Sequence, residues 1–409
     1  MTDDLQVPVP PHVPDHLVRD FDFNHVPGAD EDVYGAWRQL QDGPEIFWTP
    51  RHGGHWVVTR AEDVELVQTD YERFSHEVMT LPRNAKPLRT PPIQYDPPQH
   101  GGYRKVLNRA FSPRVVAGLQ QDLRDLATSL IEGFAERGEC EFVSEFARHL
   151  PIVIFLRMVD LPMEHRELFL GWAEAAVRSP DATAKRAAYQ QAIDYLSEVI
   201  SERSENPGDD LISMVIAGVV DGRPLDHDEV LGMCTLLFVG GLDTVAGMIS
   251  FIAMFLAENS SHRRQLIESP EMIPQAIDEL LRRHGMSNTV RLITRDTELQ
   301  GLQLKKGELI MVPISLHGLD DRRWVDPLTV DFTRDTRGHA TFGTGPHRCP
   351  GAGLARAEIR AFLEEWLQRI PDFSIKPGEK VETVTGSVNG VRRLVLTWPT
   401  PSLDTVRHC

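Results

Sequence analysis

The sequence predicts a mainly α-helical protein with small β-sheets. Three observations lead there. Helical periodicity dominates residues 99–283. Short β-type runs lie on both sides of that block, at 44–60 and after 290. Within the block, Val230 to Ala257 form an apolar run of 28 residues with one charge, Asp243.

Taken in order, residues 1–20, MTDDLQVPVPPHVPDHLVRD, form an irregular acidic and proline-rich arm without the basic-then-apolar pattern of a leader. EIFWTP and HWVVTR, joined through HGGH, read as a hairpin. Residues 77–98 carry six prolines and no helical period, which makes them a long loop of the kind that usually serves function. SPRVVAGLQQDLRDLATSLIEGFAERG and AAYQQAIDYLSEVISERSE then keep helical spacing. PLDHDEV opens the long apolar helix, with Asp226 able to cap it and Glu229 three residues on to complete a capping box. VRLITR, TELQG and LIMVPIS are strand-like, and a last helix begins near Gly351. No repeat or linker interrupts the chain, so residues 1–409 are expected to form one domain.

Composition narrows the function. The 409 residues, 41% apolar and 25% charged, are those of a soluble protein. Sixty acids against 43 bases give a net charge of −17, which argues against nucleic acid as a partner. Cys140, Cys234, Cys349 and Cys409 form neither a C-x-x-C pair nor a disulfide framework, so a reducing, cytoplasmic setting is expected. The apolar run is the one membrane candidate. An acid, two adjacent glycines and no basic flank make a buried soluble helix the better expectation.

The chemistry concentrates at ATFGTGPHRCPGAGLARAE, residues 340–358, where Cys349 stands in a glycine-rich loop just before a helix. A helix N-terminus stabilises a thiolate, and Gly343, Gly345 and Gly351 let backbone approach a flat ligand. A lone cysteine in a turn is by default a buried thiol, and His347 with Cys349 lacks the second pair that zinc needs. The spacing F-G-x-G-x-H-x-C-x-G, Phe342 to Gly351, resembles the haem-binding loop of the cytochromes P-450. LLFVGGLDTV, QLKKGELIMVP and EEWLQRIPDFSIKPG resemble the camphor-hydroxylating bacterial class, and the similarity runs from about residue 20 to 400.

The resemblance implies the cytochrome P-450 fold, with a long central helix over haem b and Cys349 as axial ligand to its iron. O2 is then the co-substrate. It places His100, Arg104, Arg291 and His347 at the haem propionates. Gly240 and Gly241 would open the helix ladder beside the haem, with Thr244 bonding the oxygen ligand and Asp243 relaying protons. Glu279 and Arg282, one helical turn apart, would lock the loop behind the haem together with Arg334. The matching substrate positions are Thr80, Leu88, Leu236, Val239, Thr289 and Val388. No tyrosine occurs between Tyr71 and Tyr95, so the donor that recognises camphor in that class is missing. A small cyclic terpenoid, either a monoterpene ether such as cineole or an ionone-like norisoprenoid, suits the lining better. Electrons would come from a [2Fe–2S] ferredoxin and its NADH-dependent reductase, docking at Arg104, Arg337 and Arg356. The alternatives are a haem-binding sensor or carrier without oxygen activation, and a peroxide-using P-450. The Asp243–Thr244 pair speaks against both.

Overall fold

The two N-terminal β-type runs form the antiparallel hairpin of β1 (Ile46–Thr49) and β2 (His55–Val58). The hairpin turns through Gly53 and Gly54, at φ of +87° and +80°, values that favour glycine. The computed structural model describes residues 5–83, 88–178 and 182–400. In it the N-terminal hairpin and the runs VRLITR and LIMVPIS join in one sheet, and four smaller sheets of two or three strands stand apart among the described residues. With β3 (Phe74–Ser75), β4 (Asn288–Ile293) and β5 (Leu309–Pro313), the hairpin makes a five-stranded sheet in the order β1-β2-β5-β4-β3. The joint is the parallel pairing of β5 with β2, where Ile310 faces Trp56. All five residues of β5 are buried, which is why LIMVP reads as an unbroken apolar run.

The helices that position the site are α1 (Gln99–Ala110), α2 (Gln120–Glu132), α3 (His149–Met158), α4 (Ala182–Glu205), α5 (His227–Glu258), α6 (Ile273–Arg283) and α7 (Ala352–Arg369). The capping box at the start of α5 is formed: Asp226 Oδ1 accepts from the Glu229 amide, and Glu229 Oε2 accepts from the Asp226 amide, both at 2.9 Å. Tyr103 of α1 donates to Glu229 Oε1 at 2.6 Å and ties the two helices together.

Helix α5 threads two apolar cores. Its first half, with Val230, Met233 and Phe238, packs with Leu156 of α3 and Leu196 of α4. Its second half, with Ile249, Ile252 and Leu256, packs with Leu280 of α6 and Phe362 of α7. The Gly240–Gly241 doublet falls between the two. By length and composition α5 could cross a membrane, and 59% of its most apolar window is buried against the rest of the chain.

Candidate active site

One face of α5 opens onto a cavity of about 350 Å³. Leu236, Leu237, Gly240, Gly241, Thr244, Val245 and Met248 line it, a stripe at i, i+1, i+4, i+5, i+8, i+9 and i+12. A Cβ added to Gly240 or Gly241 would meet no protein atom within 4 Å, so both face open cavity. The expected opening of the helix ladder does not interrupt the helix, which runs unbroken through the doublet. Thr244 Oγ1 instead donates to the Gly240 carbonyl at 2.9 Å, a backbone bond within one turn. Asp243, next to it, is half-buried.

The cysteine loop forms the wall that carries sulfur. Gly343 and Gly345 take φ of +72° and +67°, and the Cys349 amide donates back to the Phe342 carbonyl at 2.8 Å. Gly351 is the N-cap of α7. Cys349 lies deep in the protein mass, with its exposed surface turned into the cavity. Burial pushes its thiol up, against the Gly351 amide and the charges of Arg104, Arg356 and Arg348. Those same groups favour a thiolate once a metal takes the place of the proton.

At a third part of the wall, basic groups gather without acids to match. Arg291 is 3% exposed, and its guanidinium hydrogen bonds, among the described residues, only to the Val290 carbonyl, at 2.9 Å. Burial lowers it to about 9, opposed by Asp96. His347 stands between His76 and His100, with ring centroids 4.3 and 4.5 Å away. Buried ring nitrogens of all three lack hydrogen-bond partners among the described residues. Burial, reinforced by His347, lowers His100 to about 4, and burial pushes His76 well below the usual imidazole range. Among the described residues the acid paired with this cluster is Asp96, 3.7 Å from His347 and already engaged by Ser75 Oγ at 2.5 Å and the His76 amide at 3.1 Å.

A soft sulfur donor, glycines facing open space, and a buried cluster of donors short of acids together suit a flat metal macrocycle bearing carboxylates. The residues present therefore fit haem.

The remaining sequence-derived residues fall in two groups. Leu236 and Thr289 line the cavity, as do Phe342, His100, Arg104 and Gly351. Thr80, Leu88, Val239 and Val388 lie outside the lining. Val239 is off the helical stripe and exposed. Thr80 is exposed and bonds the Pro82 carbonyl at 3.3 Å. Leu88 packs on the core around Tyr103, and Val388 bridges to Ser287 and packs on the larger core.

The sequence reading missed His76, Ile93, Met286, Ser287 and Glu358, which all line the cavity. Ser287 was within reach, because Ser287, Thr289 and Arg291 alternate onto one face. The three arginines expected to form a docking patch have different surroundings. Arg356 Nε is held by Asp278 at 2.7 Å, Arg337 by Asp335 at 2.5 Å, and Arg104 faces the cavity.

Comparison with known proteins agrees with this geometry. Residues 175–397 match the family model described as Cytochrome P450. A probable cytochrome P450 127A1 of Sinorhizobium fredii is 35% identical over 402 residues, covering 96% of this chain and 97% of that protein. Erythromycin C-12 hydroxylase of Saccharopolyspora erythraea is 32% identical and covers 91% of this chain and 96% of its own. The crystal structures of CYP101C1 and CYP101J2 superpose with TM-scores of 0.89 and 0.88, at 37% and 38% identity. Each match covers 96% of this chain and the whole of the other.

The fold and the sulfur-lined cavity thus define a haem-thiolate protein, and the chain belongs to the cytochrome P450 family. It is a monooxygenase that uses haem b, with a cysteine thiolate as the axial iron ligand, and O2.

Proposed function

We propose that this enzyme hydroxylates an unactivated C–H bond of a small cyclic terpenoid, of the cineole or ionone type rather than camphor. The observation that carries this is the cavity wall. Pro92, Ile93, Leu236, Leu237 and Met286 are apolar. The hydroxyls of Thr341 and Thr344, at the cysteine loop, are engaged by the Leu281 carbonyl and Gln68. On α5 and around β4 stand those of Ser287, Thr289 and Thr244. Only Thr244 among these last three has a short hydrogen bond, since Thr289 reaches Val312 at 3.5 Å. Such a wall suits a compact hydrocarbon body with at most one polar group.

Cys349 would hold the iron. Arg291, His100, His347, Arg104 and His76 would hold the haem carboxylates, guanidinium forks and ring N–H groups suiting carboxylate oxygens. When bound, the haem supplies dioxygen activation for insertion of one oxygen atom into a C–H bond. The apolar wall orients the substrate and excludes water. Thr244 Oγ1 gives its single proton to the Gly240 carbonyl and turns lone pairs toward the cavity, so in this proposal it donates to the cavity only on releasing that carbonyl. Asp243, half-buried beside it, exchanges protons with solvent and resupplies that hydroxyl.

Electrons come, in this proposal, from a [2Fe–2S] ferredoxin reduced by an NADH-dependent flavoprotein, in the cytoplasm. Support comes from the likeness to CYP101C1 and CYP101J2. Arg348, exposed and adjacent to Cys349 in the chain, is the cation best placed to meet an acidic donor. Residues 1–409 act as one domain in this reading, since α5 contributes to both large cores.

The test is a spectral titration of the haem-loaded enzyme with cineole, ionones and camphor. The expected result is a high-spin shift at lower concentration for cineole or an ionone. Tighter binding of camphor than of either refutes the substrate assignment.

A further inference from the structure

Gly232 lies on the first half of α5, buried, one turn before the cavity-lining Leu236. A Cβ at Gly232 would stand 2.1 Å from the Arg89 carbonyl oxygen, 3.2 Å from its carbon and 2.9 Å from Pro91 Cδ. The first two are backbone atoms and cannot rotate aside. Helix and loop can be this close only because residue 232 is glycine.

The loop segment seated there is braced within itself. Thr90 donates from both its amide and its Oγ1 to Gln94 Oε1, each at 2.9 Å. Gln94 Nε2 donates to the Glu77 carbonyl at 3.0 Å. Thr90 and Gln94 are 6% and 7% exposed, so these bonds are shielded from water. The Arg89 guanidinium lies 5.3 Å over the Tyr95 ring, which packs 4.9 Å from Tyr103 of α1. Between the two braced residues stand Pro92 and Ile93, both of which line the cavity.

We propose that Gly232 is a specificity-determining positioning residue, setting how closely Pro92 and Ile93 roof the cavity and so confining the site to compact substrates. This rests on the terpenoid reading given above. Any side chain at 232 must displace the Arg89–Pro91 backbone by about an ångström to restore ordinary contact, and the roof rises with it. Loss of the Gln94 brace loosens the same roof without touching α5.

The experiment compares haem-loaded wild type, Gly232→Ala and Gln94→Ala, each with a normal carbon-monoxide difference band. Two readouts are taken: dissociation constants for 1,8-cineole and the larger β-ionone from the high-spin shift, and the entry rate of 4-phenylimidazole. Gly232→Ala should weaken cineole by about tenfold and β-ionone by much less, the size of effect a methylene-scale misfit produces. Both variants should admit 4-phenylimidazole severalfold faster. Equal weakening of the two terpenoids, or unchanged 4-phenylimidazole entry in both variants, overturns the proposal. If Gly232→Ala does not load haem, Gln94→Ala carries both readouts. If neither terpenoid shifts the wild-type spectrum, the substrate reading fails and the entry rate alone decides the role of Gly232.

Discussion

Arg282 donates from Nε and Nη2 to the two carboxylate oxygens of Glu279, at 2.7 and 2.9 Å, with neither side chain exposed at all. Arg334 adds a third donor to Glu279 Oε1 at 3.1 Å, and the Asp331 amide a fourth at 3.0 Å. Arg282 also spans to the carbonyls of Gly318 at 2.5 Å and Pro327 at 2.9 Å. One buried ion pair thereby pins the segment 318–334 against α6, just ahead of the cysteine loop.

Removing Glu279 leaves the Arg282 charge buried without its acid. Breaking a buried pair in this way costs about 3–5 kcal/mol. Glu279→Ala should therefore lower the thermal midpoint strongly and reduce haem loading in the purified protein. Calorimetry and the ratio of Soret to protein absorbance measure the two effects. A Glu279→Ala protein with unchanged midpoint and full haem content contradicts this role.

Thr244→Ala removes the hydroxyl that faces the cavity but leaves the apolar stripe on α5 intact. Terpenoid binding should stay within about twofold of wild type. Product formation should fall on the order of 10²-fold, the usual effect of losing a positioned proton donor. NADH consumption should continue, with hydrogen peroxide in place of product. Thr244→Ser, which keeps the hydroxyl, should recover most of the coupling. Product and peroxide assayed against NADH consumed distinguish this from a mere loss of affinity.

How far the molecule could be read beforehand depends on what each residue's role requires. Cys349 and its glycines were legible because a tight loop at a helix start demands fixed residue types at fixed spacing. The capping box of α5 was legible for the same reason. Glu279 and Arg282 could be placed on one helical face, whereas their complete burial comes from segments that arrive 45 to 55 residues later. Val239 lies three residues after Leu236, a spacing that shares a helical face, and only the whole stripe on to Thr244, Val245 and Met248 puts it outside the lining. Thr80 and Leu88 sit in a loop, where no periodicity fixes which side chain turns inward. His76 lies just past the two-residue strand β3, too short for any pattern to reveal its face.

His76 is the strongest candidate for an additional hold on the haem. Its ring faces the cavity beside His347, it is 4% exposed, and its Nδ1 has no partner among the described residues. A hydrogen bond to a charged group contributes ~1.5–3 kcal/mol, so His76→Ala should lose haem at least about tenfold faster. Transfer of haem to apomyoglobin measures that rate. His76→Gln, able to donate from a similar position, should restore slow loss. Equal rates for wild type and His76→Ala remove His76 from the cradle.

Glu358 on α7 gives the fold a dependence on pH. Its side chain is 2% exposed, lines the cavity and has no ion pair among the described residues, and burial pushes it up to about 8. The unfolded chain releases this proton near pH 4.5, so between that value and about 8 the folded form binds the extra proton. The contribution to stability is complete below pH 4.5 and is lost as pH rises through that window, by ~1.4 kcal/mol per pH unit. Glu358→Gln, neutral throughout, should have a flatter midpoint-against-pH curve than wild type and exceed it increasingly from pH 6 to pH 8. Thermal unfolding of both proteins across that range tests it. Parallel curves show that Glu358 is already ionised in the folded enzyme, and the assignment of a protonated carboxyl to this wall then fails.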